Sequence, residues 1–203
     1  MNFKKNFKKI TALAAVMAMA LSMAACGADN AADNTDTAAE STSAAENAAE
    51  TAEILNFIPP EKGEKIAVMT VKDYGEIKIK LFPEAASKGV ENFIGLADMN
   101  YYDELIFHRV IPHFMDQGGD PQGTGMGGQS MWGGSFDGGI PEGLYHFSGA
   151  IAYANSGSTS TNGSQFYIVN TDEGECVSDV SSYPRNVQDM YKEKGGVPYL
   201  DGG

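Results

Sequence analysis

Short apolar stretches separated by turn residues dominate the chain from about residue 54 onward. Residues 65–71 (KIAVMTV) and 76–81 (EIKIKL) are typical of strands, and the second alternates apolar and charged positions with period two. The four residues between them have hairpin length, which favours an antiparallel pair. Further strands are predicted at residues 105–111, 150–154 and 165–169.

One clear helix interrupts these strands. Residues 83–84 (Pro-Glu) open it, because proline is tolerated in the first turn of a helix. Val90, Phe93 and Ile94 then begin an apolar face at helical spacing, which runs out by Asn100. The pattern therefore predicts a mainly β domain, an all-β barrel or sandwich with a helix attached.

The rest of the domain has weaker periodicity. Glycine is frequent over residues 118–143, which predicts ordered irregular loops. A further short helix is predicted at about residues 186–194, within the segment 176–197.

The first 25 residues have the pattern of a signal peptide. Four lysines precede an apolar run over residues 10–23, which is short for a membrane span, and Ala24-Ala25 precede Cys26. A cysteine at this position resembles the bacterial lipobox, in which the thiol is lipidated and becomes the mature N-terminus. Plain secretion and an uncleaved anchor are the alternatives.

Residues 27–53 are small, polar or acidic and include no base and no aromatic residue. Such a segment buries too little apolar surface to fold, so we expect a flexible tether. The predicted organisation is a lipoprotein signal peptide at 1–25, lipidated Cys26 with a disordered acidic tether at 26–53, and a folded domain at 54–203. We expect this domain outside the cytoplasm, anchored to a bacterial cell membrane by the lipid on Cys26.

Charge and spacing exclude several function classes. The chain has 14 basic and 27 acidic residues and a formal net charge of −13, which argues against nucleic acid as a partner. The three histidines lack a familiar metal-ligand spacing, and residues 123–128, although they fit G-x-G-x-x-G, have no strand before them and no helix after them. We therefore expect no metal and no cofactor. Cys176, the second cysteine, is interpreted as a lone loop thiol.

One constellation of residues is left without an assignment by these patterns. Arg109 is followed within eight positions by Phe114, Met115 and Gln117, and later segments add Asn155, Gln165 and Tyr167. On residue chemistry alone, the apolar members are either core residues with a surface arginine nearby or parts of a site.

A resemblance to a known family covers these residues. The segment 107–120 (FHRVIPHFMDQGGD) resembles the signature of the cyclophilins, and 146–155 (HFSGAIAYAN) and 161–168 (TNGSQFYI) resemble the family's next two blocks, in the same order. Residues 90–96 are similar to its first helix and 199–202 (YLDG) to a late segment. The resemblance extends over residues 64–203 and implies a cyclophilin-like antiparallel β-barrel with a flanking helix.

The resemblance also implies an activity, peptidyl-prolyl cis-trans isomerisation. Arg109 would stabilise the twisted imide, since a cation near the prolyl nitrogen favours the loss of resonance. The substrate-binding residues implied by the resemblance are Phe114, Met115, Gln117, Ala154, Asn155, Gln165, Tyr167, Tyr199 and Leu200. Expected partners are proline-containing unfolded or exported polypeptides, bound by a monomer.

The chain departs from the family pattern at several points. His113 stands where glycine is common, Tyr167 replaces a phenylalanine and Tyr199 a tryptophan. The segment 176–197 is longer than in compact members. The chain ends at Gly203, about 40 residues before the family's usual end, so we expect an incomplete domain that is poorly stable or inactive as it stands.

Two other functions fit the same residues. The first is a proline-peptide-binding or chaperone module without catalysis, in which Arg109 would have little purpose. The second is a surface interaction protein or adhesin that uses residues 176–197.

Overall fold

The computed structural model describes Asn2–Phe3 and residues 51–203. The strands are β1 (Asn2–Phe3), β2 (Ile66–Val71), β3 (Gly75–Lys80), β4 (Arg109–Ile111), β5 (Phe114–Gly118), β6 (Ile151–Tyr153) and β7 (Phe166–Asn170). The helices are α1 (Ser87–Asp98) and α2 (Arg185–Lys194), with 3-10 turns at Thr159–Thr161 and Pro198–Leu200. Cys26 and most of the predicted signal peptide and tether lie outside the described residues. No helix within the described residues is both long and apolar enough to cross a membrane.

The strands form two antiparallel sheets, which confirms the mainly β prediction. One sheet has the order β1-β2-β3 and the other the order β4-β5-β7-β6. The predicted hairpin joins β2 and β3, where Val71 pairs with Gly75 and Asp73 adopts a positive φ of 65° in the turn. Asp is among the few non-glycine residues that accept this conformation readily.

The main core lies where α1 and both sheets meet. Met69 and Ile79 come from the first sheet, Phe166 from the second, and Phe93 and Leu96 from α1. The rings of Phe93 and Phe166 meet edge to face, with centroids 5.8 Å apart. Burial of these side chains contributes about 1.5–3 kcal/mol each.

Helix α1 begins later than the sequence predicts. Residues 83–86 form turns, and the helix runs from Ser87, with Ala86 as its N-cap. The predicted opening at Pro83 was therefore wrong by four residues: the Ala86 N–H closes a single turn onto the Phe82 carbonyl, and the helix continues only from Ser87. The apolar face itself is confirmed, with Phe93 buried and Val90 and Ile94 packed against the core, and Leu96 is buried beside them.

The predicted strand at residues 105–111 is shorter than expected, and a strand that follows it was missed. Only Arg109–Ile111 pairs as β4, and it pairs with β5 through a tight turn in which His113 has a positive φ of 61°. Leu105 and Phe107 are apolar because they pack on the core without joining a ladder.

The segment 176–197 packs against the domain. Its helix α2 confirms the predicted helix, and it buries Val187 and Tyr191 in a second core with Phe147. The Tyr191 and Phe147 rings lie 4.3 Å apart between centroids.

Candidate functional site

A cavity of about 1000 Å³ lies between elements of both sheets, α1 and the residues that follow the second 3-10 turn. Most of the residues that the sequence singled out lie around this cavity, although they come from four separate segments. Those that line it are Arg109, Phe114, Met115, Gln117, Ala154, Asn155, Tyr167 and Leu200. Gln165 and Tyr199 are not among the lining residues, but each contacts one of them.

The polar side of the cavity is a chain of side-chain hydrogen bonds that begins at Arg109. Arg109 and Gln117 are register partners across β4 and β5, and Arg109 Nη1 donates to Gln117 Oε1 at 3.4 Å. Gln117 Nε2 donates in turn to Gln165 Oε1 at 2.9 Å. Arg109 is exposed and has no ion-pair partner among the described residues. Its charge is therefore available to a ligand.

Gln165 anchors a glycine-rich loop beside this chain. Its Nε2 donates to the carbonyl oxygens of Gly125 and Gly127, at 3.0 and 2.8 Å. Because each of these amide nitrogens donates to an oxygen, the orientations of both glutamine side chains are determined by the network.

Phe114 and Met115 supply the apolar side. They are consecutive on β5, and both line the cavity. Met115 is 2% exposed. Phe114 stacks on Tyr199, with centroids 6.3 Å apart and planes 20° apart. Tyr199 is itself 60% exposed, so it supports Phe114 from the solvent side. Leu200, the next residue in the chain, lines the cavity.

The glycine-rich loop binds a carboxylate of its own chain. Asp120 is buried and accepts hydrogen bonds from the backbone N–H groups of Gln122, Thr124, Gly125 and Gly127. Burial by itself would raise the pKa of Asp120, but these four donors together outweigh it and lower the pKa to about 2. The side chain of Asp120 thus occupies the N–H groups that a phosphate would need.

His146 and Asp201 are two cavity residues that were not predicted as site residues. The Tyr167 hydroxyl lies 2.9 Å from His146 Nε2, and His146 Nδ1 lies 2.7 Å from Asp201 Oδ1. Tyr191 on α2 donates its hydroxyl to Asp201 Oδ2 at 2.6 Å. Burial raises the pKa of Tyr167, with the Asp201 charge adding to the effect, so this hydroxyl is neutral at physiological pH. Residues 146 and 201 are far apart along the chain, and no sequence spacing links them.

One cluster outside the cavity could hold a metal ion. The ligand atoms of His113, Asp172 and Glu175 lie within 4.8 Å of one another. All three side chains are at the surface, and His113 Nδ1 already pairs with Glu175 Oε2 at 2.9 Å and with Asp172 Oδ2 at 3.3 Å. This arrangement is an ion pair when the imidazole is protonated.

Comparison with known proteins gives one consistent family. Residues 66–182 match the family described as cyclophilin type peptidyl-prolyl cis-trans isomerase/CLD. A Staphylococcus aureus protein provisionally named a peptidyl-prolyl cis-trans isomerase is 46% identical over 145 residues, which cover 70% of this chain and 73% of that protein. A Streptococcus pyogenes protein provisionally named a bifunctional phosphatase/peptidyl-prolyl cis-trans isomerase is 46% identical over 142 residues, and the chain spans 30% of its length.

A solved structure is similar as well. It is a cyclophilin type peptidyl-prolyl cis-trans isomerase of Cryptosporidium parvum, determined in the presence of the dipeptide Ala-Pro. The two chains share 35% identity with a TM-score of 0.50, and the match covers 64% of this chain and 74% of that one.

Proposed function

Because this chain belongs to the cyclophilin-type peptidyl-prolyl cis-trans isomerase family, we propose that it accelerates X-Pro isomerisation at the cavity lined by Arg109, Phe114, Met115 and Tyr167. The observation that carries the proposal is the position of Arg109. Arg109 lines the cavity next to the apolar side chains of Phe114 and Met115, and it has no carboxylate partner within the described residues.

The chemistry requires no nucleophile and no general base. Rotation about a peptide bond meets a barrier of about 18–20 kcal/mol, because resonance gives the C–N bond double-bond character. In the twisted state the prolyl nitrogen regains its lone pair. A fixed cation with several N–H donors binds that state better than either planar isomer, and this difference in binding is the catalysis.

The remaining cavity residues would hold the substrate. Phe114, Met115, Tyr167 and Leu200 form apolar surface for the prolyl ring. The Gln117 side chain lies within hydrogen-bond distance of Arg109 and could also donate to a substrate carbonyl. Ala154 and Asn155 line the same cavity, and because the Ala154 N–H already donates to the Gln165 carbonyl, the backbone carbonyl groups there would pair with an extended peptide. The presence of the dipeptide Ala-Pro with the similar Cryptosporidium protein supports a ligand of this class.

The proposal is tested with an X-Pro peptide in an isomerisation assay on the full chain. We expect acceleration by the wild type and a loss of about 100-fold or more in Arg109→Ala. Arg185→Ala on α2, which removes the second arginine and lies outside the cavity lining, serves as the matched control. Peptide binding without acceleration by the wild type would instead identify a non-catalytic binding or chaperone module.

We further propose that the domain works outside the cytoplasm, on unfolded or exported polypeptides, as a monomer tethered to the membrane by lipid on Cys26. The support is the sequence alone: a basic segment, an apolar run and small residues immediately before that cysteine. Fractionation of cells that express Cys26→Ser tests it. We expect the variant to leave the membrane fraction or to remain unprocessed, and unchanged membrane association would contradict the proposal.

A further inference from the structure

Asp201 holds His146 through two hydrogen bonds to one oxygen. The backbone N–H of His146 donates to Asp201 Oδ1 at 2.7 Å, and the ring nitrogen Nδ1 lies 2.7 Å from the same oxygen. An anionic oxygen in contact with Nδ1 at this distance requires a proton on that nitrogen, because two lone pairs would otherwise face each other. Asp201 therefore determines the tautomer of a neutral His146.

The tautomer of His146 determines the direction of the next hydrogen bond. When Nδ1 carries the single ring proton of a neutral imidazole, the Nε2 atom of His146 is an acceptor, so the Tyr167 hydroxyl at 2.9 Å is the donor. A hydroxyl has one proton, and this contact uses it. The Tyr167 oxygen keeps its lone pairs, and no other side-chain or backbone group of the described residues is hydrogen-bonded to it.

Tyr167 lines the cavity that the proposed function uses. His146, Phe114, Met115 and Leu200 also line it. The hydrogen-bonded pair Tyr167 and His146 therefore lies beside the apolar surface proposed for the prolyl ring. Burial raises the pKa of Tyr167 and keeps the hydroxyl neutral, so its oxygen is a neutral acceptor.

We propose that the pocket of this protein is selective for prolyl rings that carry a hydrogen-bond donor. Tyr167 is the specificity-determining residue, and His146 and Asp201 are positioning residues that present its oxygen as an acceptor. A ring hydroxyl, as in a 4-hydroxyprolyl residue, would donate to the Tyr167 oxygen. A ring with only an acceptor, as in a 4-oxoprolyl residue, would be rejected. The inference rests on the proposed function for the location of the prolyl ring.

The test is a set of dissociation constants for the full chain, measured by NMR titration with four peptides that differ only at ring position 4. The peptides contain proline, 4-hydroxyproline in both epimers, or 4-oxoproline. We expect one hydroxy epimer to bind about 2- to 10-fold more tightly than proline, the range for one neutral hydrogen bond. The 4-oxo peptide should bind more weakly than proline.

The Tyr167→Phe variant removes a single oxygen from the pocket. The ratio of two peptides' dissociation constants for the wild type is divided by the same ratio for Tyr167→Phe. This correction is needed because ring substituents also change the intrinsic cis/trans equilibrium of the peptides. In Tyr167→Phe the preference for the hydroxy peptide should disappear. Tyr74→Phe removes a hydroxyl from a tyrosine that is 90% exposed, and it should keep the wild-type ratios.

Two variants of the positioning residues separate orientation from mere presence of the hydroxyl. In Asp201→Asn the backbone N–H of His146 still requires an acceptor, so the amide oxygen faces His146 and the selectivity should be retained. In His146→Leu the Tyr167 proton is released, and the variant should gain affinity for the 4-oxo peptide. Equal affinities of the wild type for all the peptides, or ratios unchanged in Tyr167→Phe, would overturn the proposal.

Failure of the proposed function would look different. If the chain binds these peptides selectively but does not accelerate isomerisation, catalysis is wrong and the selectivity stands. If it isomerises X-Pro bonds with no preference at ring position 4, the selectivity is wrong and catalysis stands.

Discussion

Arg109 and Gln117 face each other across β4 and β5, and the guanidinium Nη1 donates to the Gln117 side-chain oxygen at 3.4 Å. This contact is long for a hydrogen bond and leaves most of the five guanidinium N–H donors for a ligand. It also begins the polar chain that continues through Gln165 to the glycine-rich loop. The orientation of the proposed catalytic cation is therefore coupled to the structure of that loop.

The first prediction concerns Gln165. Gln165→Glu replaces the nitrogen that donates to the Gly125 and Gly127 carbonyls with a negatively charged oxygen. The new oxygen would repel both carbonyls and draw Arg109 or Gln117 away from the cavity. We expect a loss of about 10-fold or more in kcat/KM for an X-Pro peptide, the order that two lost hydrogen bonds imply.

Gln188→Glu is the control for this substitution. Its side-chain nitrogen also donates to two carbonyls, those of Ser181 and Tyr183, but it lies on α2 outside the cavity lining. We expect wild-type kcat/KM from any fraction that folds. An equal loss of activity in both variants would show that the effect is general destabilisation.

The second prediction concerns stability and Asp120. Asp120→Asn removes the charge and leaves one acceptor oxygen, so when that oxygen faces the Thr124, Gly125 and Gly127 N–H groups the NH2 group opposes the Gln122 N–H, which loses its acceptor. We expect a loss of about 2 kcal/mol in the free energy of unfolding, measured with denaturant. Asp189→Asn removes an exposed carboxylate 3.5 Å from Lys192 and should change this free energy by less than about 0.5 kcal/mol.

The pH dependence of the wild type follows from the same carboxylate. The pKa of Asp120 is lowered in the folded state to about 2, so its contribution is present above its ordinary value of 3.8. The contribution is lost as the pH falls through about 2. The difference in the free energy of unfolding between Asp120→Asn and the wild type should therefore become smaller as the pH is lowered. A difference that stays constant down to about pH 2 would contradict this.

The third prediction concerns His113. A hydrogen bond to the Glu175 carboxylate, followed by the charges of Glu175 and Asp172, raises the pKa of His113 above its ordinary 6.5. The contribution of this pair to stability is present below that ordinary value and is lost as the pH rises through the raised one. Glu175→Gln should lower the pKa of His113 in an NMR titration of its ring protons.

Glu175 itself titrates in the opposite sense. The Asp172 backbone N–H, and then the His113 ring, lower the pKa of Glu175 below 4.5, so its contribution is lost as the pH falls through the lowered value. The control is Glu173→Gln, which removes a neighbouring acid without touching the pair. An unchanged His113 titration in Glu175→Gln would show that the ion pair does not form in solution.

Hydrophobic periodicity predicted those elements in which apolar residues recur several times on one face. The alternation in β3 and the face of α1 each place several residues on one side, so β3 and the buried Phe93 follow from the sequence. Strand β5 was missed because five residues with Asp116 and Gln117 in the middle show no clean alternation. Its hydrogen bonds to β4 and β7 hold it in the sheet, with Met115 buried.

The candidate site also contains residues that the sequence could group and residues that it could not. Arg109, Phe114, Met115 and Gln117 lie within one hairpin, so a local motif was enough to group them. His146 and Asp201 are 55 residues apart, and only the fold brings their side chains together. His113 also shows what the sequence alone cannot predict. Its positive φ of 61° explains why glycine suits that position, but nothing in the sequence accounts for a histidine there.

The most direct test of the central claim is exchange spectroscopy by NMR on an X-Pro peptide at equilibrium, with and without the full chain. The measured quantities are the cis/trans exchange rate at saturating protein and the dissociation constant. We predict fast exchange with the wild type, and with Arg109→Ala a fall of about 100-fold or more in that rate and a much smaller change in affinity. Wild-type exchange by Arg109→Ala would contradict the account.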